Sequence, residues 1–443
     1  MFLENISKKR SLRLINPGGN VEKMNFSEGC NWIDSRQEDL LSNLMQLSEI
    51  NSGTGNLNGI NKVSQFFNTY FSDTADSFST INSKPRDHVD ISGELVREEF
   101  GNMLTFQKRA EAPLQVLLVG HMDTVFPESH SFQTPSRIDA QTLLGPGVAD
   151  MKGGILVMMT ALQAFESSNH SSQLGWQVML NADEETGSHG SMECLVQAAK
   201  KADAGLIYEP ALSDGTMSRA RKGSGNYTVV AKGQAAHAGR EFAKGRNAIS
   251  ALCNLAMNLE QLTDLENGIT LNIAKVSGGT ALNVVPENAV LQFNVRCESS
   301  AQQQGLEKSM AAIIERASQQ NAMELRLTGG FSRPPKTISS ANQLLMDWLS
   351  EGGKQLEIDV RFKDTGGCCD GNNLAAAGLP NIDTLGVRGG QIHTADEFML
   401  IDSLAERAKL SLNLLHKISE QGEQLKKINE QGLTARRLDG MEN

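Results

Sequence analysis

The chain has no run approaching the roughly 20 consecutive apolar residues that a membrane-spanning helix needs, so no partner membrane is expected. Its opening, MFLENISKKRSLRLINPGGN, carries basic residues but lacks the apolar stretch of roughly 7–15 residues found in a secretory signal. Cysteine is sparse: Cys30, Cys194, Cys253, Cys297, Cys368 and Cys369 include no CxxC pair and build no disulfide framework. They read as reduced thiols in a cytoplasmic protein. Basic charge is also short, with a net charge of -11. A nucleic-acid partner is therefore not expected, because phosphate binding needs a basic face. No internal repeat appears. What remains is an ordinary globular composition, 39% hydrophobic and 21% charged, over 443 residues, a length that calls for two domains.

Residues 1–33 are polar and read as an N-terminal extension. Helical patterns follow over 34–47 and 59–71, separated by the glycine-marked break Asn51-Ser52-Gly53-Thr54-Gly55. Apolar runs at 114–119, 176–180, 204–208 and 382–387 are short, rich in Val, Ile and Leu, and bounded by Gly, Pro or Asp, as strands are. Helices over 153–165 and 191–199 lie between them, so the alternation predicts an α/β catalytic domain with a mainly parallel central sheet over 34–218 and 330–418. Between 219 and 329 the texture changes to strands at 227–230, 270–276 and 289–295 with helices over 246–262 and 302–319. This predicts an inserted α+β module. Residues 419–443 read as a polar C-terminal tail, either a frayed helix or disordered.

Chemistry-bearing residues fall where these runs end. His121 and Asp123 follow the first run, Glu184 and Glu185 the second, Glu209 the third, and His393 the fourth, while Asp150 precedes an apolar helix. Ligands of open α/β sheets collect at the carboxyl ends of strands. Taken singly, Asp150 reads as well as a helix N-cap and Glu184-Glu185 as a solvated turn; together, these residues converge on one sheet edge. Histidines with carboxylates and no thiolate suit zinc, cobalt or manganese. Five ligands exceed what one open catalytic ion takes, but fit two ions that share a carboxylate, acidify a water between them and polarise a carbonyl. The adjacent Glu184 and Glu185 offer one carboxylate for a ligand and one for a general base.

The segments GHMDTVFP (120–127), GPGVADMKGG (145–154), NADEETGSHGS (181–191), YEPA (208–211) and GGQIHTADE (389–397) resemble the signatures of a known family. It is the co-catalytic zinc family of glutamate carboxypeptidase, acetylornithine deacetylase, succinyl-diaminopimelate desuccinylase and aminoacylase, and the likeness runs from about residue 37 to residue 418. The resemblance implies two zinc ions per subunit. Asp150 would bridge them, His121 and Glu209 would complete one site, and Glu185 and His393 the other. Glu184 would be the general base. Asp123 would orient the His121 ring, and a cis peptide would follow Asp150.

The resemblance also assigns the inserted module a lid and dimerisation role. His237, in AKGQAAHAGR (231–240), matches a histidine that reaches the partner subunit's site and stabilises an oxyanion, which implies a homodimer. Asn283 and Arg296 match lid positions that touch substrate or oxyanion, although Arg296 reads equally as a structural ion pair. Arg333, in GGFSRPP, aligns with an arginine that grips a substrate carboxylate in glutamate carboxypeptidases. TGGCCDGNNLAAAGLP (365–380) resembles the Gly-rich loop, with Gly371 at a substrate-facing position, but Cys368-Cys369 departs from the usual small or hydroxyl residues. The expected activity is release of a C-terminal amino acid such as glutamate from a small peptide. N-acyl amino acid deacylation or dipeptide cleavage is the alternative, and a catalytically silent metal- or ligand-binding protein the distant one.

Overall fold

A computed structural model describes residues 23–439 of the chain, so the first part of the expected extension and the last residues of the expected tail lie outside the described residues. Six strands form the central sheet, in the order Ser77–Ile81, Met103–Lys108, Leu174–Asn181, Leu114–His121, Ala204–Ile207 and Asn381–Ile382. Neighbours among the last four are parallel; the first two add antiparallel at one edge. Leu114–His121 is buried almost throughout, the pattern of a strand covered on both faces. Its register sets His121 opposite Asn181 and Val119 opposite Ile207, so three strands finish nearly level at their carboxyl ends.

The helix Lys152–Glu166 packs beneath this sheet and is itself covered by the helix Ser403–Asp439. Gly154 shows why its amino end is glycine-rich: a Cβ there would lie 2.0 Å from the Tyr208 carbonyl oxygen. The strand expected over 382–387 pairs in the central sheet only at Asn381–Ile382. Beyond it Thr384 takes a φ of 63°, and the amides of Leu385 and Gly386 donate to Ile207 and Glu209 outside any regular ladder. The chain then enters a second, five-stranded sheet, ordered Ala211–Leu212, Arg388–Gly390, Phe398–Leu400, Thr142–Leu144 and Ser136–Arg137.

The inserted module has its own antiparallel sheet, ordered Thr270–Gly278, Asn288–Cys297, Gly223–Lys232 and Glu324–Arg333. Helices Ala248–Glu260 and Ser300–Asn321 cover it around a separate core that includes Val229, Leu252, Leu291, Phe293 and Met310. The fourth strand was not expected: Gly329 and Gly330 break its apolar alternation, and only pairing with Gly223–Lys232 along its length forms it. Two polar segments are also helical. Part of the polar extension, Phe26–Ser35, is a helix closed by a reciprocal Asn25–Glu28 cap and buries Ile33. The polar tail continues the helix Ser403–Asp439, with Leu425 fully buried. In both segments a few apolar residues on one face find the core, a signal too sparse to read from composition.

Candidate metal centre

His121, the last residue of the central strand, is buried. Its Nε2 lies 3.1 Å from Asp150 Oδ1 and 3.9 Å from Glu209 Oε1. The other Asp150 oxygen, Oδ2, is 3.3 Å from His393 Nε2, which is also 3.2 Å from Glu185 Oε2. Each oxygen of one carboxylate thus faces a different histidine, and the Asp150–Met151 peptide is cis. Ligand atoms of His121, Asp150 and Glu185 gather within 4.8 Å of one another, as do those of His121, Glu184 and Glu209.

Asp123 ties the parts together. Its backbone oxygen is 3.0 Å and its Oδ1 3.4 Å from His121 Nδ1, leaving Nε2 directed at Asp150. The two carboxylate oxygens accept from the amides of Glu184 and Glu185, each at 3.2 Å, and Oδ2 also accepts from Thr54 Oγ1 at 2.8 Å. Behind the turn, Asp183 Oδ2 accepts from the amides of Gly190 and Ser191.

The electrostatics show a site short of positive charge. Burial and the neighbouring Asp150 raise the Glu185 carboxyl to about 7, and they raise Glu209 as well. Burial lifts Glu184 well above the usual carboxylate range although Arg333 opposes it. Hydrogen bonds to Asp150 and Glu185 raise His393 to about 11. Burial disfavours the charged form of His121, yet Asp123, Asp150 and Glu209 together raise it well above its ordinary value. For Asp150 burial pushes upward, but the two histidines outweigh it and lower the carboxyl. Carboxylates this close in a low-dielectric site need protons or cations between them. The nitrogen and oxygen donors and the two-sided Asp150 fit metal ions.

A family model described as "Peptidase family M20/M25/M40" matches residues 117–417. The chain belongs to peptidase family M20/M25/M40. It is thereby a hydrolase of the metal-dependent peptidase and amidohydrolase class. It is 27% identical over 387 residues to carboxypeptidase G2 of Pseudomonas sp. (strain RS-16), covering 86% of this chain and 89% of that one. It is 26% identical over 349 residues to succinyl-diaminopimelate desuccinylase of Hahella chejuensis (strain KCTC 2396), covering 74% and 88%. A family M20 metallo-carboxypeptidase from Sulfolobus solfataricus has the same fold, with a TM-score of 0.67 at 14% identity, over 85% of this chain and 98% of that one. So does a dinuclear metal-binding M20 peptidase from Bacillus subtilis, with a TM-score of 0.59 at 14% identity, over 87% and 99%. Among the described residues no helix is long and apolar enough to cross a membrane.

In this M20/M25/M40 chain the expected substrate residues fall in different places. Arg333 is buried at 2% exposure, and its guanidinium donates to Glu184 Oε1 at 2.7 Å, the Glu184 carbonyl at 3.1 Å, Ser188 Oγ at 2.9 Å and Asp370 Oδ1 at 2.7 Å. The planar donors of the expected substrate anchor thus face acceptors of the protein itself. Gly371 is also buried, with a Cβ position 3.1 Å from Asp383 Oδ2. A side chain there would crowd Asp383, Asn381 and Cys369. Cys369 caps the helix Asp370–Ala376, its Sγ accepting from the Gly371 amide at 3.3 Å, the service a serine or threonine commonly gives. Burial raises the thiols of both Cys368 and Cys369.

Arg296 is half-buried and donates to the Gly366 carbonyl at 2.6 Å, joining the inserted module to the Gly-rich loop. His237 and Asn283 are exposed neighbours on the module: His237 bridges to Val284, and the Ala238 amide donates to the Asn283 carbonyl at 2.9 Å. The hydrogen bond of the His237 ring is to its own loop, with Nδ1 accepting from the Gly239 amide at 3.1 Å. Two buried supports were not foreseen. Lys152 Nζ donates to the carbonyls of Leu47 and Ile50 at 3.0 and 2.8 Å, and burial lowers it to about 7. Asp383 accepts from both Arg221 and Lys336. Their partners lie far away in sequence; only the place of Lys152 inside DMKGG hinted at it.

Proposed function

We propose that the chain hydrolyses an amide bond in a small carboxylate-bearing substrate, releasing a C-terminal amino acid such as glutamate. It would do so at two zinc ions held by His121 and Glu209, by Glu185 and His393, and by a shared Asp150. The observation that carries this reading is Asp150, whose oxygens face His121 Nε2 at 3.1 Å and His393 Nε2 at 3.3 Å. The ions, when bound, supply polarisation of the amide carbonyl and acidification of water. Glu184 takes the water proton on its carboxylate and returns it to the leaving amine. Arg333 holds that carboxylate in place through a 2.7 Å bond. Asp123 fixes the His121 ring so that Nε2 stays turned to the centre. Arg296 and Asn283, on the inserted module, contact the substrate or the oxyanion.

The second reading keeps the chemistry and changes the substrate to N-acyl amino acids or dipeptides. The likeness to a desuccinylase favours it, as does the inward commitment of Arg333. A homodimer through the inserted module belongs to the proposal, with His237 acting in the partner subunit's site. The strand Thr270–Gly278 is an open sheet edge, and Met257, Val276 and Leu282 are exposed on the same module. A reducing, cytoplasmic setting is supported by six cysteines, all free thiols.

The test pairs metal analysis with a panel of N-acyl-glutamates, acetylornithine, succinyl-diaminopimelate and dipeptides. Glu184→Gln is expected to lower turnover by about 10²–10⁴-fold with bound metal unchanged. Undiminished turnover removes Glu184 from the role of base. Metal binding without cleavage of any substrate would favour the silent binding protein.

A further inference from the structure

The hairpin tip between Arg388–Gly390 and Phe398–Leu400 carries more than His393. Its last residue, Glu397, is 1% exposed and turns its carboxylate under the loop that ends in Asp150. Oε2 accepts from the Gly147 amide at 3.2 Å, while Oε1 accepts from the amides of Ala149 at 2.9 Å and Asp150 at 3.1 Å. The sheet register brings this about: Phe398 pairs with Leu144, so Glu397 emerges beside Gly145, whose amide donates to the Glu397 carbonyl at 3.1 Å. Four residues earlier on the same tip, His393 Nε2 approaches Asp150 Oδ2 at 3.3 Å.

We infer that Glu397 is a positioning residue that fixes Asp150 from behind, so that one hairpin tip sets both the backbone and the outer carboxylate oxygen of the shared ligand. The inference rests on the metal-centre reading above. The two carboxylate oxygens of Glu397 supply acceptors for all three converging N–H groups. A glutamine of the same shape keeps one accepting oxygen and turns an N–H against the remaining amide. The loop then shifts, and the distance between the two halves of the centre shifts with it. Partners of this kind behind a metal ligand typically change affinity by about 10–100-fold.

The experiment titrates Zn²⁺ into metal-free full-length protein by calorimetry and repeats the titration with Co²⁺, reading its visible absorption. Wild type is expected to take up two ions. Glu397→Gln is expected to bind at least one of them about 10–100-fold more weakly and with altered cobalt bands. Glu397→Asp, which keeps the charge but retracts it by one methylene, is expected to fall between the two and serves if the glutamine variant does not fold. Leu345→Ala, a core truncation in the helix Ser340–Gln355, is expected to lower the melting temperature and leave both isotherms unchanged. Wild-type affinity and spectrum in both Glu397 variants would overturn the inference, as would an equal loss in Leu345→Ala. A wild type that binds no pair of ions would instead overturn the metal centre itself, and this inference with it.

Discussion

Arg333 links Glu184 to the Gly-rich loop, with one guanidinium nitrogen 2.7 Å from Glu184 Oε1 and the other 2.7 Å from Asp370 Oδ1. A planar fork can hold two carboxylates in fixed relation; an ammonium cannot. Arg333→Lys is therefore expected to lower kcat by about 10²-fold, the scale of misplacing a catalytic group by an ångström. KM should stay within about threefold, since no binding shared by ground and transition state is lost. Steady-state kinetics decides: a KM that rises while kcat holds would return the arginine to the substrate. Sequence likeness paired Arg333 with a substrate carboxylate; the fold sets it against two carboxylates of the protein, Glu184 and Asp370.

At the scale of elements, the helix Ser403–Asp439 binds the molecule together and carries a titratable contact. His416 is 7% exposed, its ring 4.6 Å from that of His170 and 5.7 Å from those of Phe26 and Phe165. Burial first, and then the neighbouring His170, lower His416 to about 4. Below its ordinary value of about 6.5 the unfolded chain binds a proton that the folded chain refuses until about pH 4. Its contribution is thus whole above pH 6.5 and is lost as the pH falls toward 4, on the order of 2 kcal/mol. Denaturant unfolding of His416→Phe across this window should show a shallower acid loss than wild type. An unchanged slope would assign the acid sensitivity to other groups.

Elements were unequally legible for related reasons. The strands Leu114–His121 and Leu174–Asn181 are mostly apolar and buried because both their faces are covered, and the ligands fall at or just past their ends. By contrast, Glu324–Arg333 contains two glycines and is half-buried along most of its length. The helix Phe26–Ser35 buries only Gly29 and Ile33. Such segments are formed by their neighbours, and local composition does not announce them.

For the whole molecule, the proposed dimer makes a prediction that one chain alone cannot satisfy. If His237 serves the partner's site, Glu184→Gln and His237→Ala each silence homodimers by different routes. A mixed dimer would hold one site with both intact residues. Unfolded and refolded together in equal amounts, the two variants are expected to recover about a quarter of wild-type activity by statistical pairing. No recovery, with mixed dimers demonstrated by mass, would place His237 outside the partner's site.

The sequence by itself determined the α/β class, the inserted module and the family, because buried strands need continuous apolar runs and ligands follow their ends. It also presented His121, Asp150, Glu184, Glu185, Glu209 and His393 as a single set. Only the tertiary structure decided which oxygen of Asp150 meets which histidine, that Arg333 turns inward, and that Glu397 braces the Asp150 loop. Those contacts join residues up to 250 positions apart. They depend on strand register and loop closure, which no local pattern encodes.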